Sequence, residues 1–299
     1  MKINKKVRYL AQAIIVAVIF YFLVKNLYTN WLKVRTYEWH FNYILLAISF
    51  CIILGVSIFM IVIWRHILGQ FNAHLPFKKA FKIWFLSSLG RYIPGKVWQV
   101  MGMAYLTNKE GIKAEISITS ALLAQALSFI PGMILGMFTI MFFMPDFQLP
   151  GWVYLSLIVV PVSIIIVYPP YLEKLINMIN RALKRSEVHF SATFTGNLFT
   201  MFLYLCAWIV HGLAFFLFTR SITFIDTSHI FSFFGIFAGA YIIGLIAVFV
   251  PGGLGVREGI LAALLSAFFP FPVAVAIAFG SRIWITCAEL LCVVIALRL

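Results

Sequence analysis

The chain is 299 residues long, 63% apolar and only 11% charged, with a formal net charge of +14. Soluble surfaces need about 25% charged residues, which excludes a water-soluble domain of this size. Several apolar runs reach the ~20 residues that cross about 30 Å of hydrocarbon, and no series of short period-two segments points to a membrane β-barrel, so the fold class is all-α, a polytopic integral membrane bundle.

The first apolar run, 9–25, follows Lys2, Lys5, Lys6 and Arg8. It ends in YFLVKNLY with no small-residue cleavage site, so it reads as a retained helix. Helices are then expected over 41–64, 116–144, 151–170, 196–219 and 273–297. The pair Pro131–Gly132 reads as a kink in the 116–144 helix. Residues 171–186 form an amphipathic surface helix with Leu172, Ile176, Ile179 and Leu183 on one face. Two regions, 80–106 and 230–269, are apolar but interrupted, by GRYIPGK and by PGGLGVREG. The whole of 1–299 reads as a single transmembrane domain. Cys51, Cys206, Cys287 and Cys292 lie in apolar runs and are expected to be small buried hydrophobes. No His/Cys cluster has metal-ligand spacing, and neither metal nor cofactor is expected.

Loop charge orients the chain. With the N-terminus cytoplasmic and each interrupted region returning to the side it came from, most of the 23 Lys and Arg face the cytoplasm. The positive balance is then topology signal and implies no nucleic-acid partner. Of the half-segments around each break, 80–90, 95–106 and 256–269 are too short to span, whereas 230–250 could span alone. The half-segments are expected to form two re-entrant hairpins of opposite topology, the mark of inverted-repeat transporters with a site at midplane. Ordinary kinked spanning helices are the alternative.

Non-helical backbone cannot face lipid, so the broken segments must be buried or line a wet cavity. Pro94 suits the first turn of a new helix, and Gly95 permits a bend or a close approach. That helix would point free N–H groups and its positive dipole end into the site beside Arg91 and Lys96. PGGLGVREG repeats the arrangement, with Arg257 and Glu258 opening the next helix. Arg282 and Glu289, seven residues apart, share a face of the last helix. Arg91, Lys96, Arg257 and Arg282 outnumber Glu258 and Glu289 by two, which leaves room for an anion such as a lipid phosphate. The plainer readings stand beside this one. Glu258 would pair with Arg282 or cap its own helix, Glu289 would pair with Arg282, and Arg91 and Lys96 would snorkel to a headgroup region. His211 reads as a satisfied core histidine, and Tyr92, Trp98 and Tyr241 as packing residues.

GRYIPGKVW and PGGLGVREG, in this order and about 160 residues apart, resemble the lysylphosphatidylglycerol synthase/flippase transmembrane-domain family over nearly the whole chain. The resemblance carries the family's motif positions to Gly90, Arg91, Pro94, Gly95 and Lys96, and to Pro251, Gly252, Gly253, Gly255, Arg257 and Glu258. Tyr92 and Trp98 fall within the first motif, and Arg282 and Glu289 match the charged last helix. It implies a flippase that moves a phosphate-bearing phospholipid, glycolipid or polyprenyl-phosphate lipid between leaflets of a bacterial or archaeal cytoplasmic membrane. Arg91, Lys96, Arg257, Glu258, Arg282 and Glu289 would contact the substrate. Many relatives place a glutamate where this sequence offers Gln125. The chain stops at Leu299 with no aminoacyl-tRNA-dependent transferase domain, so no catalytic residue and no enzyme activity is expected. Two other functions remain open. One is an accessory subunit of a separate lipid-modifying enzyme. The other is a lipid-linked glycosyl- or phosphotransferase, for which no DxD or Ser/His/Asp arrangement appears. Oligomeric state, including a homodimer, stays open.

Overall fold

The computed structural model describes residues 21, 25, 28–92, 97–144, 168–182, 187, 192–247 and 255–299. Among them lie a short helix α1 (Trp31–Arg35), then α2 (Tyr43–Gly69), α3 (Phe77–Ser88) ending in a 3-10 turn (Leu89–Tyr92), α4 (Trp98–Asn108) and α5 (Ala114–Phe143). The second half runs α6 (Pro169–Ala182), α7 (Phe194–Ile222), α8 (Ile230–Ile246), α9 (Val256–Leu265) and α10 (Phe271–Arg298). Five of these stretches, α2, α5, α7, 227–246 and α10, are long and apolar enough to cross a membrane. The expected helices over 9–25 and 151–170 fall almost wholly outside the described residues, as does Leu183. Of the expected amphipathic face, Leu172 on α6 is buried against the core.

Local chemistry starts the long helices. The Asn42 side chain accepts from the Leu45 N–H at 3.0 Å, and the Thr193 hydroxyl accepts from the Gly196 N–H at 3.0 Å. Each satisfies an N–H that the first turn leaves without a partner. Pro270 precedes α10, and Pro272 sits in its first turn, where a missing N–H costs nothing. α5 continues through Pro131, so the expected kink does not break it. The Ser128 carbonyl just before that proline accepts from Trp208 Nε1 at 2.9 Å.

α2 and α7 pack antiparallel. The N–H groups of His40 and Asn42, entering α2, donate to the carbonyls of Ile222 and Ser221 at the end of α7, at 3.2 and 2.7 Å. At the other end of the pair His66 meets Phe199, ring centroids 5.9 Å apart. Each of these helices is followed by a hairpin and then by another long helix, so the order long helix, hairpin, long helix occurs twice in opposite directions. The arms α3 and α4 start and finish together, tied by the Lys79–Glu110 ion pair. They close at Gly90, where an added Cβ would lie 2.7 Å from backbone atoms of Trp98 and Gln99. The arms α8 and α9 are joined at their open end by His229 on Phe268, at 4.9 Å. Because α2 and α7 are antiparallel, the two hairpins open at opposite ends of the bundle.

Small residues let helices approach closely, as they do in membranes. A Cβ on Gly235 of α8 would fall 2.2 Å from the Thr139 side chain of α5. Around these contacts lies a core in which Trp64, Phe215 and Phe233 are fully buried. Cys292 is buried as expected, but Cys51 and Cys287 are exposed, contrary to expectation. They lie on the outer faces of α2 and α10, where a thiol behaves as a small apolar group and lipid solvates it at little cost. One end of the bundle carries Arg65, Lys78, Lys79, Lys82, Lys109, Lys113 and Arg298, while the other carries Lys33, Arg35 and Arg220.

Candidate functional site

The closed end of the first hairpin stops against the last helix. Arg91, on the 3-10 turn after α3, forms an ion pair through Nη1 with Glu289 Oε1 of α10. The sequence offered Arg282 as the partner of Glu289, and the structure corrects this. Seven residues along a helix rise about 10.5 Å, and Arg282 turns instead to the nearer Glu258 of α9.

The second hairpin resumes at Gly255, whose φ of +82° lies in the left-handed region that suits glycine. The Gly255 N–H donates to Glu258 Oε2 at 2.6 Å, so the carboxylate closes the first turn of α9. The other oxygen of Glu258 lies 3.7 Å from Arg282 Nη1. Both plain readings of Glu258, as a cap and as a partner of Arg282, are thus combined in one buried side chain.

Arg257 is placed differently. It is 7% exposed, and its guanidinium sits over the rings of Phe237 and Tyr241 of α8, at 5.0 and 5.2 Å. Among the described residues it forms no ion pair, and its Nη2 has no hydrogen-bond partner. A buried cation without a carboxylate is costly, and this one borders open space.

That space is a cavity of about 120 Å³ lined by Arg91, Arg257 and Glu289 together with Ser57, Ser128, Tyr204, Trp208, His211, Phe237 and Tyr241. That volume suits a small polar group such as a phosphate with a short substituent. Arg91, Arg257 and Glu289 are brought together there. Glu258 and Arg282 stand behind them, Arg282 reaching the hairpin through Glu258. Trp98 opens α4 and is exposed, touching the turn through its backbone near Gly90. Gln125 is exposed on α5 and does not line the cavity. Pro94, Gly95, Lys96, Pro251, Gly252 and Gly253 lie outside the described residues, as does the side chain of Tyr92. Among the described residues no group of three His, Cys, Asp or Glu is placed to hold a metal ion.

Sequence reasoning passed over the cavity's aromatic wall. Trp208 and Tyr241 meet edge to face at 5.1 Å, and Tyr241 carries Arg257. His211 hydrogen-bonds the Ala207 carbonyl, as a core histidine would, yet its ring lines the cavity. A titratable residue in mid-span was the available signal.

The family model described as lysylphosphatidylglycerol synthase TM region matches residues 9–291. No curated protein and no solved structure matches the chain.

Proposed function

The chain belongs to the lysylphosphatidylglycerol synthase TM region family, and from that footing we propose that it is a lipid translocase whose cavity holds the phosphate of a membrane lipid during passage between leaflets. The observation that carries this reading is Arg257, a buried guanidinium with no carboxylate partner among the described residues, facing a cavity between two hairpin ends. The barrier to lipid movement is dragging a charged headgroup through hydrocarbon. A cavity with guanidinium donors already in place supplies what the lost hydration no longer does. The tails would stay in the surrounding lipid.

At 1.5 Å per residue, α3, α4 and α9 reach only about 18, 16 and 15 Å, roughly half of a 30 Å hydrocarbon layer. The first hairpin would therefore turn back inside the membrane. The second would enter from the opposite side through α8, whose stretch 227–246 is long enough to cross alone, and return through the short α9, with the cavity near midplane. The more basic end of the bundle would face the cytoplasm, with the N-terminus on that side. Passage would expose the cavity to each side in turn as the two halves rock against each other.

The test is flux of fluorescent phospholipid in proteoliposomes. Arg257→Gln removes a charge-assisted hydrogen bond of about 1.5–3 kcal/mol, which is roughly ten- to a hundredfold in affinity. Flux that matches empty liposomes in the wild type, or that Arg257→Gln leaves unchanged, counts against translocation through this cavity.

A further inference from the structure

His211 lines the cavity, and the translocase reading gives it no task. It lies in the interior of α7, in WIVHGLAFF. Its Nδ1 is 2.8 Å from the Ala207 carbonyl oxygen, one turn back. A carbonyl only accepts, so the proton of this bond belongs to Nδ1, and in the neutral ring Nε2 presents a bare lone pair. Among the described residues nothing donates to Nε2. The ring is held in place by stacking on Phe237, at 5.6 Å and 16°, and by Trp208 at 5.8 Å. Phe237 also carries the Arg257 guanidinium at 5.0 Å. One aromatic side chain thus positions both a cluster of donors and an acceptor beside the same cavity.

The other polar groups there are mostly in use. The Ser57 hydroxyl donates back to the Ile53 carbonyl at 2.7 Å, Trp208 Nε1 is bound to Ser128, and Glu289 is engaged by Arg91. The hydroxyls of Tyr204 and Tyr241 can donate as well as accept, so they do not discriminate between ligand donors and acceptors. The neutral imidazole at Nε2 does discriminate, because it can only accept.

We infer that His211 determines the lipid specificity of the cavity, accepting a hydrogen bond from an N–H or O–H donor that the headgroup carries beside its phosphate, while Arg257 holds the phosphate. This rests on the translocase reading only in taking the ligand to be a lipid headgroup. Ammonium headgroups such as ethanolamine and hydroxyl headgroups such as glycerol share the required chemistry. Choline carries the same phosphate and a positive charge but has no N–H or O–H. Its methyl groups would leave the Nε2 lone pair desolvated and without a partner.

The experiment is calorimetric titration of the purified full chain with three water-soluble probes, the methyl phosphodiesters of ethanolamine, glycerol and choline, of which only the choline probe carries no N–H or O–H. The wild type should bind the glycerol probe about two- to tenfold more tightly than the choline probe, and the ethanolamine probe about tenfold or more, if each makes the bond. A preference confined to one of the two assigns the donor as ammonium or as hydroxyl. His211→Leu should erase the preference, and His211→Gln, whose carbonyl oxygen keeps an acceptor, should retain part of it. The wild-type ranking needs no variant, so a leucine variant that fails to fold leaves the test intact. Equal affinities in the wild type, no binding of any probe, or a ranking unchanged in folded His211→Leu would overturn the inference. Because binding is read without transport, absent flux with the ranking intact counts against translocation and leaves the role of His211 standing. Arg257-dependent flux that is equal for ethanolamine, glycerol and choline lipids would do the reverse.

Discussion

Replacing Arg257 with methionine should leave the protein as stable or make it more so, while weakening its response to a phosphate headgroup. The guanidinium is buried, forms no ion pair among the described residues, and touches the rings of Phe237 and Tyr241. The substitution forfeits two cation–π contacts at about 0.5–2 kcal/mol each. A methionine thioether on the same rings restores about 0.3–1.5 kcal/mol of each contact. Against that loss, the variant no longer orphans the buried Nη2, at about 1–3 kcal/mol. The balance runs from about zero to about 3 kcal/mol in favour of the variant, a rise of a few degrees in melting temperature. Thermal unfolding in detergent measures it, first without lipid and then with a phosphate-bearing lipid at a hundred times its Kd. Ligand at that excess should stabilise the wild type by about 2.7 kcal/mol and Arg257→Met, with affinity roughly ten- to a hundredfold weaker, by only about 0.4–1.4 kcal/mol. A variant that melts several degrees lower, or that keeps the full lipid-induced shift, would refute the reasoning and make Arg257 a structural residue.

Gly90→Ala should cost about 1–3 kcal/mol, since its Cβ would press on backbone at 2.7 Å and the arms of the first hairpin would have to part. Gly259→Ala, where nothing lies within 4 Å, should gain about 0.5–1 kcal/mol from helix propensity, and thermal unfolding of the pair of variants checks both signs. A double-mutant cycle on Arg91→Gln and Glu289→Gln should show about 1–2 kcal/mol of coupling, and additive costs would mean the ion pair does not anchor the hairpin. A membrane-impermeant maleimide applied to intact cells should label Phe224→Cys, in an exposed loop beside Arg220, and spare Lys109→Cys at the more basic end. Labelling of the second and not the first would invert the orientation.

The long helices that the structure describes were legible in the sequence. The interrupted regions expected over 80–106 and 230–269 correspond to α3–α4 and α8–α9, and the long helices begin and end within a few residues of their expected bounds. Apolar length and the motif glycines Gly90 and Gly255 act on the few residues around them, so a linear reading captures their effect. The partners of the charges were decided by tertiary structure. Arg91 and Glu289 lie 198 residues apart. They meet because the hairpin's closed end stops beside α10 in a bundle organised by the antiparallel pair α2 and α7. Arg257 forms no ion pair among the described residues, while Glu258 is occupied by the Gly255 N–H and by Arg282, which composition alone does not show. His211 has the same neighbours in sequence whether its face of α7 meets packed helix or open cavity. Helix formation and transfer into lipid are free energies of a segment, whereas ion pairing and cavity lining depend on distances between segments, and only the packing of the whole bundle sets those.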